Sequence, residues 1–322
     1  MQKTKLLAIF GLVLFVLIIW SAGPEKMAAL ILQADPVLIA LSMSLLTVSV
    51  LVKAVRWKII AANHGFNCSI MESARIWLIG LAGASVTPGR LGDFMKAVYV
   101  KQNGNLPLGR GISMVMVERI IDVAALFSLA GVGLIFTGSL FIGAGISLPT
   151  IVIVIAAGFA GLWALTRKNI VAFVAKPMFN HIVPKQYRDG LKGGFEELYK
   201  SMLVSLKQPK FLISVVILTY VSWFIAFFGT WLTAKAFGID IPIIYIAAFS
   251  PLATLMELIP ITVGGFGTRE ATSVFLYGLI DIAPSVIMSI IIIGLLTSWI
   301  AVGVGFMLWL KRPIELKGVL SG

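Results

Sequence analysis

Thr87-Pro88-Gly89-Arg90-Leu91-Gly92-Asp93 and Thr262-Val263-Gly264-Gly265-Phe266-Gly267-Thr268 share the phrase T-x-G-x-[L/F]-G, and Arg269-Glu270 follows the second copy directly. Each copy interrupts a long apolar stretch, the first running from about residue 70 to 101 and the second from about 241 to 280. Matching interruptions in the two halves of an apolar chain are the pattern of a membrane protein that binds its substrate near the bilayer midplane, between half-helices. The tips of two hairpins are therefore assigned to Thr87, Pro88, Gly89 and Gly92, and to Pro260, Gly264, Gly265 and Gly267. Pro88 and Pro260 sit beside the breaks, where a missing amide proton helps to end the preceding half-helix.

The rest of the chain fits this setting. It has 322 residues, 59% hydrophobic and 12% charged, whereas a soluble domain averages about 25% charged residues. Apolar runs long enough to span a bilayer lie near 6–22, 37–61, 112–137, 142–166, 211–237 and 284–310. The expected fold is an all-α integral membrane protein, one transmembrane domain over residues 1–322. It has six full spans plus two re-entrant helical hairpins, or about ten short spans. The first run follows Lys3 and Lys5 but is long for a signal peptide. It leads into Pro24-Glu25-Lys26 rather than a small-residue cleavage site, so it is read as a retained helix.

Lysine and arginine give the orientation. With the N-terminus cytoplasmic, the inside segments collect Lys3, Lys5, Lys53, Arg56, Lys58, Arg75, Lys101, Arg110, the stretch 167–210, and Lys311, Arg312 and Lys317. The outside connections near 23–36, 138–141, 238–241 and 281–283 hold Lys26 as their one basic residue. This bias predicts a multi-pass protein of the cell membrane with both termini cytoplasmic.

The same topology inverts one repeat relative to the other, repeat A over 37–137 and repeat B over 211–310. Ala62-Asn63-His64-Gly65-Phe66-Asn67 matches Lys235-Ala236-Phe237-Gly238-Ile239-Asp240, and Gly131-Val132-Gly133 matches Gly303-Val304-Gly305. With the glycine phrases these matches fall in the same order at offsets of 173, 172 and 175 residues. Between the repeats, 167–210 carries nine Lys or Arg against three Asp or Glu, with apolar residues at helical spacing from Leu191. It reads as an amphipathic connector at the cytoplasmic surface, in contact with headgroups or simply solvated.

Several function classes lack the residues they need. Cys68 is the one cysteine and His64 and His181 are the two histidines, so no disulfide and no thiolate or histidine metal spacing is available. No cofactor motif is visible. The net charge of +12 is spread along one membrane face, which argues for lipid headgroups rather than nucleic acid as the partner.

The informative residues are charges at membrane depth. Arg90, Asp93, Arg119, Asp122, Arg269 and Glu270, left unpaired at roughly 3 kcal/mol each, would together cost on the order of 18 kcal/mol, so they pair, reach water or bind a charged ligand. In Glu118-Arg119-Ile120-Ile121-Asp122 the three charged side chains share one helix face, which suits a buried pair locking this helix to a hairpin. Arg269 sits in the first turn after a glycine break, where free amides and the helix dipole favour an anion. Arg90, with Asp93 and Lys96 in the next turn, repeats the arrangement, and an arginine fork suits phosphate or carboxylate. Two such tips approaching from opposite sides would build one polar chamber, and Glu257 either faces it or caps a neighbour. Arg56-Trp57-Lys58 reads mainly as an interfacial anchor.

Taken together, Arg56-Trp57, Thr87-Pro88-Gly89-Arg90-Leu91-Gly92-Asp93 with Lys96, Glu118-Arg119-x-x-Asp122, and Pro260-Ile261-x-x-Gly264-Gly265-x-Gly267-x-Arg269-Glu270 resemble the flippase-like family, also called the lysylphosphatidylglycerol synthase transmembrane region. The resemblance covers nearly the whole chain. It implies a lipid translocase, not an enzyme, acting on an anionic phospholipid or a polyprenyl-phosphate-linked sugar. The substrate-binding set it implies is Arg90, Asp93, Lys96, Arg119, Asp122, Arg269 and Glu270. The chain stops a dozen residues past its last span, so a stand-alone member without the soluble synthase domain is expected. A small-solute secondary transporter and a membrane-embedded lipid-modifying enzyme are the competing classes.

Overall fold

The computed structural model describes residues 2–104, 106–143, 199–258, 262, 265–311 and 313, with isolated positions between 145 and 167. Every regular element among them is helical. In order these are α1 (Gln2–Ala22), α2 (Pro24–Gln33), α3 (Pro36–Asn63), α4 (Ile70–Ser85), a 3-10 stretch (Pro88–Phe94), α5 (Met95–Gly104) and α6 (Leu108–Gly143). There follow α7 (Pro209–Ala236), α8 (Ile243–Leu255), a 3-10 turn (Met256–Leu258), α9 (Thr268–Gly278) and α10 (Pro284–Lys311).

Four of these, α3, α6, α7 and α10, are long and apolar enough to cross a membrane, and α1 with α2, bent by 74°, makes a fifth candidate. The chain is a multi-pass membrane protein. Two details of the expected layout change. The stretch 23–36 is largely the helix α2 rather than a plain connection, because Pro24 is pre-set for a first helical position and Gly23 turns the chain with φ of 83°. The connection expected near 138–141 is helical, since α6 runs on to Gly143. Most of the expected span 142–166, and of the connector, lies outside the described residues.

Local chemistry sets the helix starts. Asp35 accepts from the amides of Val37 (2.8 Å) and Leu38 (3.3 Å) at the head of α3, and Ser69 accepts from Glu72 (3.1 Å) at the head of α4. The interrupted stretches give short helices, of 16 and 10 residues in α4 and α5 and of 13 and 11 in α8 and α9. At about 1.5 Å per residue none reaches across a hydrocarbon core of about 30 Å.

The long helices hold these halves in place. α3 and α7 lie antiparallel, with the Asp35 amide donating to the Ala236 carbonyl at one end (2.9 Å) and Asn63 Nδ2 donating to Gln208 Oε1 at the other (2.6 Å). Midway, Ser42 Oγ donates to the Gly229 carbonyl at 2.9 Å. α4 packs on α10 and α8 packs on α6. Both contacts use a glycine: a Cβ on Gly305 would fall 2.2 Å from the Leu78 carbonyl oxygen, and one on Gly133 would fall 2.5 Å from Ala248 Cα. In each, a long helix from one half of the chain takes a short helix from the other half against a glycine.

Two apolar cores follow the same division. One joins Trp57, Ile76, Tyr99 and Met114 with Phe211; the other joins Phe227, Phe249, Tyr277 and Ile290 with Leu134. The helical residues 199–206 close the first core through Met202, while Ser205 donates to Asn63 Oδ1 at 2.7 Å.

Candidate functional site

The first glycine phrase folds back onto α4. Gly92 N donates to Thr87 Oγ1 (2.6 Å), whose hydroxyl donates to the Gly83 carbonyl (3.0 Å). A Cβ on Gly92 would lie 2.1 Å from that same carbonyl oxygen, so only glycine lets the two backbones meet. Gly92→Ala is expected to overpack this crossing at a cost of about 1–3 kcal/mol. Gly138→Ala, with open space around it, is expected to change nothing. Thermal unfolding in detergent compares the two variants.

Closing this turn puts Asp93 and Lys96 over Gly80 and begins a ladder of ion pairs. Asp93 takes Lys96 Nζ on Oδ1 (2.8 Å) and Arg119 Nε on Oδ2 (2.8 Å), with Arg119 Nη2 also on Oδ2. Lys96 continues to Glu118 (2.7 Å), and Glu118 to Arg56 Nη2 (2.7 Å). Arg56 pairs in turn with Asp122 and donates to Thr219 on α7 (2.8 Å). Three cations and three carboxylates alternate, and the ladder ties α3, α5, α6 and the first break together. Arg119 thus reaches across to the hairpin through Asp93. Arg56 is 2% exposed and is a strut of the ladder rather than an interfacial anchor.

The second phrase builds a different cluster. Gly267, with φ of 84°, heads α9, and its amide donates to Glu270 Oε2 at 2.6 Å. Glu270 thus fills its own helix N-terminus and holds Arg269 by Nε (3.0 Å) and Nη2 (2.7 Å) through Oε1. Arg269 Nη1 donates to Glu257 Oε1 (2.7 Å), and Glu257 Oε2 accepts from Arg90 Nη1 (2.9 Å). Glu257 faces the chamber and bridges the arginines of the two glycine phrases.

Arg90 has spare capacity. Its Nε is buried without a partner, and its backbone sits at φ of 57°, a region costly for any residue with a Cβ. Arg269 spends all three nitrogens on the two glutamates. α1 braces this side, with Gly11 against the Phe266 carbonyl and Phe15 edge-on to Phe266 at 5.6 Å.

Arg90, Glu257 and Arg269 line a small, partly open cleft together with Leu81, Ala84 and Ser85 of α4, Phe266, and Leu295, Ser298, Trp299 and Val302 of α10. Trp299 of the lining is 45% exposed, and apolar chain neighbours of lining residues are exposed as well: Leu296 and Ile300 on α10, Val86 after Ser85 and Leu91 after Arg90. Of the residues expected to bind substrate, Arg90 and Arg269 line this cleft, with Glu270 directly behind. Asp93, Lys96, Arg119 and Asp122 stand in the separate ladder. Thr87, Gly92, Gly265 and Gly267 form the two turns, and Pro88 and Gly89 lie in the 3-10 stretch; Pro260 and Gly264 lie outside the described residues. Sequence reasoning read Arg56 as an interfacial anchor and left Glu257 undecided. Their shared signal was a charge within an apolar helix, the same signal that picked out the others.

Comparison with known proteins places the chain in context. The model of the lysylphosphatidylglycerol synthase TM region family matches residues 7–305. A UPF0104 membrane protein of Methanocaldococcus jannaschii is 26% identical over 98% of this chain and 97% of its own length, and one of Methanothermobacter thermautotrophicus is 22% identical over 92% of each. A Haloferax volcanii protein named as the glycosyltransferase AglD is 26% identical over 87% of this chain, which covers 49% of that protein. No solved structure matches.

Proposed function

Because the chain belongs to the lysylphosphatidylglycerol synthase TM region family, we propose that it is a lipid translocase that moves an anionic or phosphate-linked lipid between bilayer leaflets, with the headgroup held at Arg90 and Arg269. The observation that carries this reading is the cleft itself: two arginines sharing one glutamate, in a partly open space with exposed apolar side chains in and next to its lining. Such surroundings suit acyl or polyprenyl chains that stay in the membrane while the headgroup enters. A phosphate oxygen can displace the Glu257 carboxylate from Arg90 Nη1 and, once the side chain turns, take its buried Nε as well, so a charged group crosses without facing hydrocarbon alone.

In this reading the two interrupted stretches are re-entrant hairpins of an inverted repeat, 37–137 and 211–310. The exchanged contacts Gly133 with Ala248 and Gly305 with Leu78 support it, as does the antiparallel crossing of α3 and α7. An inverted pair offers the same site to both leaflets in turn. Lysine and arginine put both termini and 167–210 in the cytoplasm of the cell. Cysteine at Lys210 in a Cys68→Ser background is then expected to resist a membrane-impermeant maleimide added to intact cells, while cysteine at Asp240 labels readily. The opposite pattern overturns the orientation.

The function is tested in vesicles containing fluorescent phospholipid or polyprenyl-phosphate analogues, read by loss of fluorescence to an external reductant. Wild type is expected to expose inner-leaflet lipid, and Arg90→Ala to slow this at least about tenfold, the equivalent of 1.4 kcal/mol. Uptake of a water-soluble anion with no lipid movement would establish a solute transporter instead. The glycosyltransferase name of the longer relative supports a second reading, a lipid-modifying enzyme, and also makes a sugar-bearing lipid a cargo to include. A change in the mass of the added lipid would mark that enzyme.

A further inference from the structure

His64 follows the last residue of α3, is 5% exposed, and belongs neither to the cleft lining nor to the ladder. Its ring joins three parts of the chain. Nδ1 lies 2.8 Å from the Ile60 carbonyl, one turn back on α3. Nε2 lies 3.1 Å from Ser113 Oγ on α6 and 3.2 Å from Ser205 Oγ on the helical residues 199–206.

These contacts place the proton. A carbonyl only accepts, so Nδ1 donates, and in the neutral ring Nε2 accepts. The Ser113 hydroxyl donates to it and, among the described residues, has no other acceptor. Ser205 is more adaptable, because its proton can go to Asn63 Oδ1 at 2.7 Å or to the Ser201 carbonyl at 3.0 Å. Asn63 in turn donates to Gln208 at 2.6 Å. Residues 199–206, with Met202 buried in the first core, are thus docked on α3 and α6 just before α7 begins.

A second proton on the ring breaks this pattern. Nε2 becomes a donor, and the Ser113 hydroxyl then meets it proton to proton. The new charge is enclosed, and among the described residues no carboxylate touches it. The charged group beside it is Arg110 of α6, whose Nη1 would lie 3.9 Å from a Cβ on Gly65, the next residue. α3 meets the ring with the Ile60 carbonyl and 199–206 with Ser205, both neutral, while Lys200 and Lys207 are exposed. Burial first, and Arg110 in addition, hold the imidazole below the ordinary histidine range. Docking that depends on a group held in this direction is at full strength above about pH 6.5 and weakens as pH falls below it.

We propose that His64 is a pH-sensitive latch: neutral, it holds residues 199–206 against α3 and α6, and protonation releases them. Because those residues lead straight into α7, release also frees the start of the second half of the chain. This goes beyond the translocase reading and stands whether or not lipid moves.

The test uses the full chain in lipid nanodiscs. His64 and His181 are its two histidines, so His181→Gln leaves a single ring to observe. Nitrogen NMR of the isotope-labelled ring is expected to show Nε2 without a proton at about pH 7.5 and a titration midpoint below about 6.5. A proton on Nε2 at neutral pH, or a midpoint at or above the ordinary value, overturns the latch. Hydrogen–deuterium exchange then reads the release. After correction for the intrinsic effect of pH on amide exchange, opening of residues 199–208 is expected to rise about three- to tenfold between about pH 7.5 and about pH 5.5, with α10 unchanged. His64→Gln, which cannot take up the charge, is expected to lose that rise. No rise in the wild type, or the same rise in His64→Gln, refutes the proposal.

Discussion

Glu257→Ala is expected to abolish leaflet exchange and to destabilise the folded protein by about 3–5 kcal/mol, the usual cost of removing one partner from a buried ion pair. Glu257 is 6% exposed and, among the described residues, is the one side chain that pairs with the arginines of both glycine phrases. Without it Arg90 loses its carboxylate, Arg269 keeps only Glu270, and two guanidinium groups face each other in the cleft. The turn around it loosens as well, because Gly265, at φ of 76°, wraps so tightly that a Cβ there would meet Glu257 Cγ at 2.5 Å. Glu257→Gln keeps the shape and one acceptor oxygen and is expected to retain folding while slowing exchange. Thermal unfolding and the vesicle assay together separate the two effects. Full exchange by Glu257→Ala would remove the shared carboxylate from the mechanism.

A similar loss of stability is expected from Arg56→Ala, at a residue far from the cleft. Arg56 neutralises both Glu118 and Asp122 and donates to Thr219, so its removal strands Asp122 and leaves Glu118 with Lys96 alone. The expected cost is again about 3–5 kcal/mol, seen as a lower unfolding midpoint and poor recovery from the membrane. Arg56→Met combined with Asp122→Asn leaves two cations and two carboxylates in the ladder, with Glu118 still on Lys96, and is expected to recover much of that stability, since buried ion pairs replaced by neutral groups of similar volume are often tolerated. Equal damage from the single and double variants would mean that Arg56 acts through packing alone.

Much of this arrangement was legible in the chain. The two breaks were visible because glycine and proline punctuate helices by local rules, and the half-helices on either side appear where the phrases demanded them. That Gly133 and Gly305 matched was also visible, though not that each seats a partner helix. Pairing was harder to read. Arg119 and Asp122 share a helix face, yet each finds its partner on another element, Asp93 and Arg56, because helix packing brings those groups nearer than one turn of helix does. Arg56 misled for a related reason: beside Trp57 and Lys58 it has the composition of an interfacial belt, and only the packing of α3 against α6 and α7 shows it to be internal. Glu257 lies three residues from a proline on a short 3-10 turn, where no helical periodicity indicates which way a side chain points.

The central claim is that a lipid headgroup crosses through the cleft between α4 and α10. It is tested most directly by bridging that cleft: Ser85→Cys and Ser298→Cys, both on its lining, are joined by a short reducible thiol-specific cross-linker in a Cys68→Ser background and assayed in vesicles. Leaflet exchange is predicted to stop on cross-linking and to return on reduction, whereas exchange that continues at full rate with the bridge in place would contradict the account.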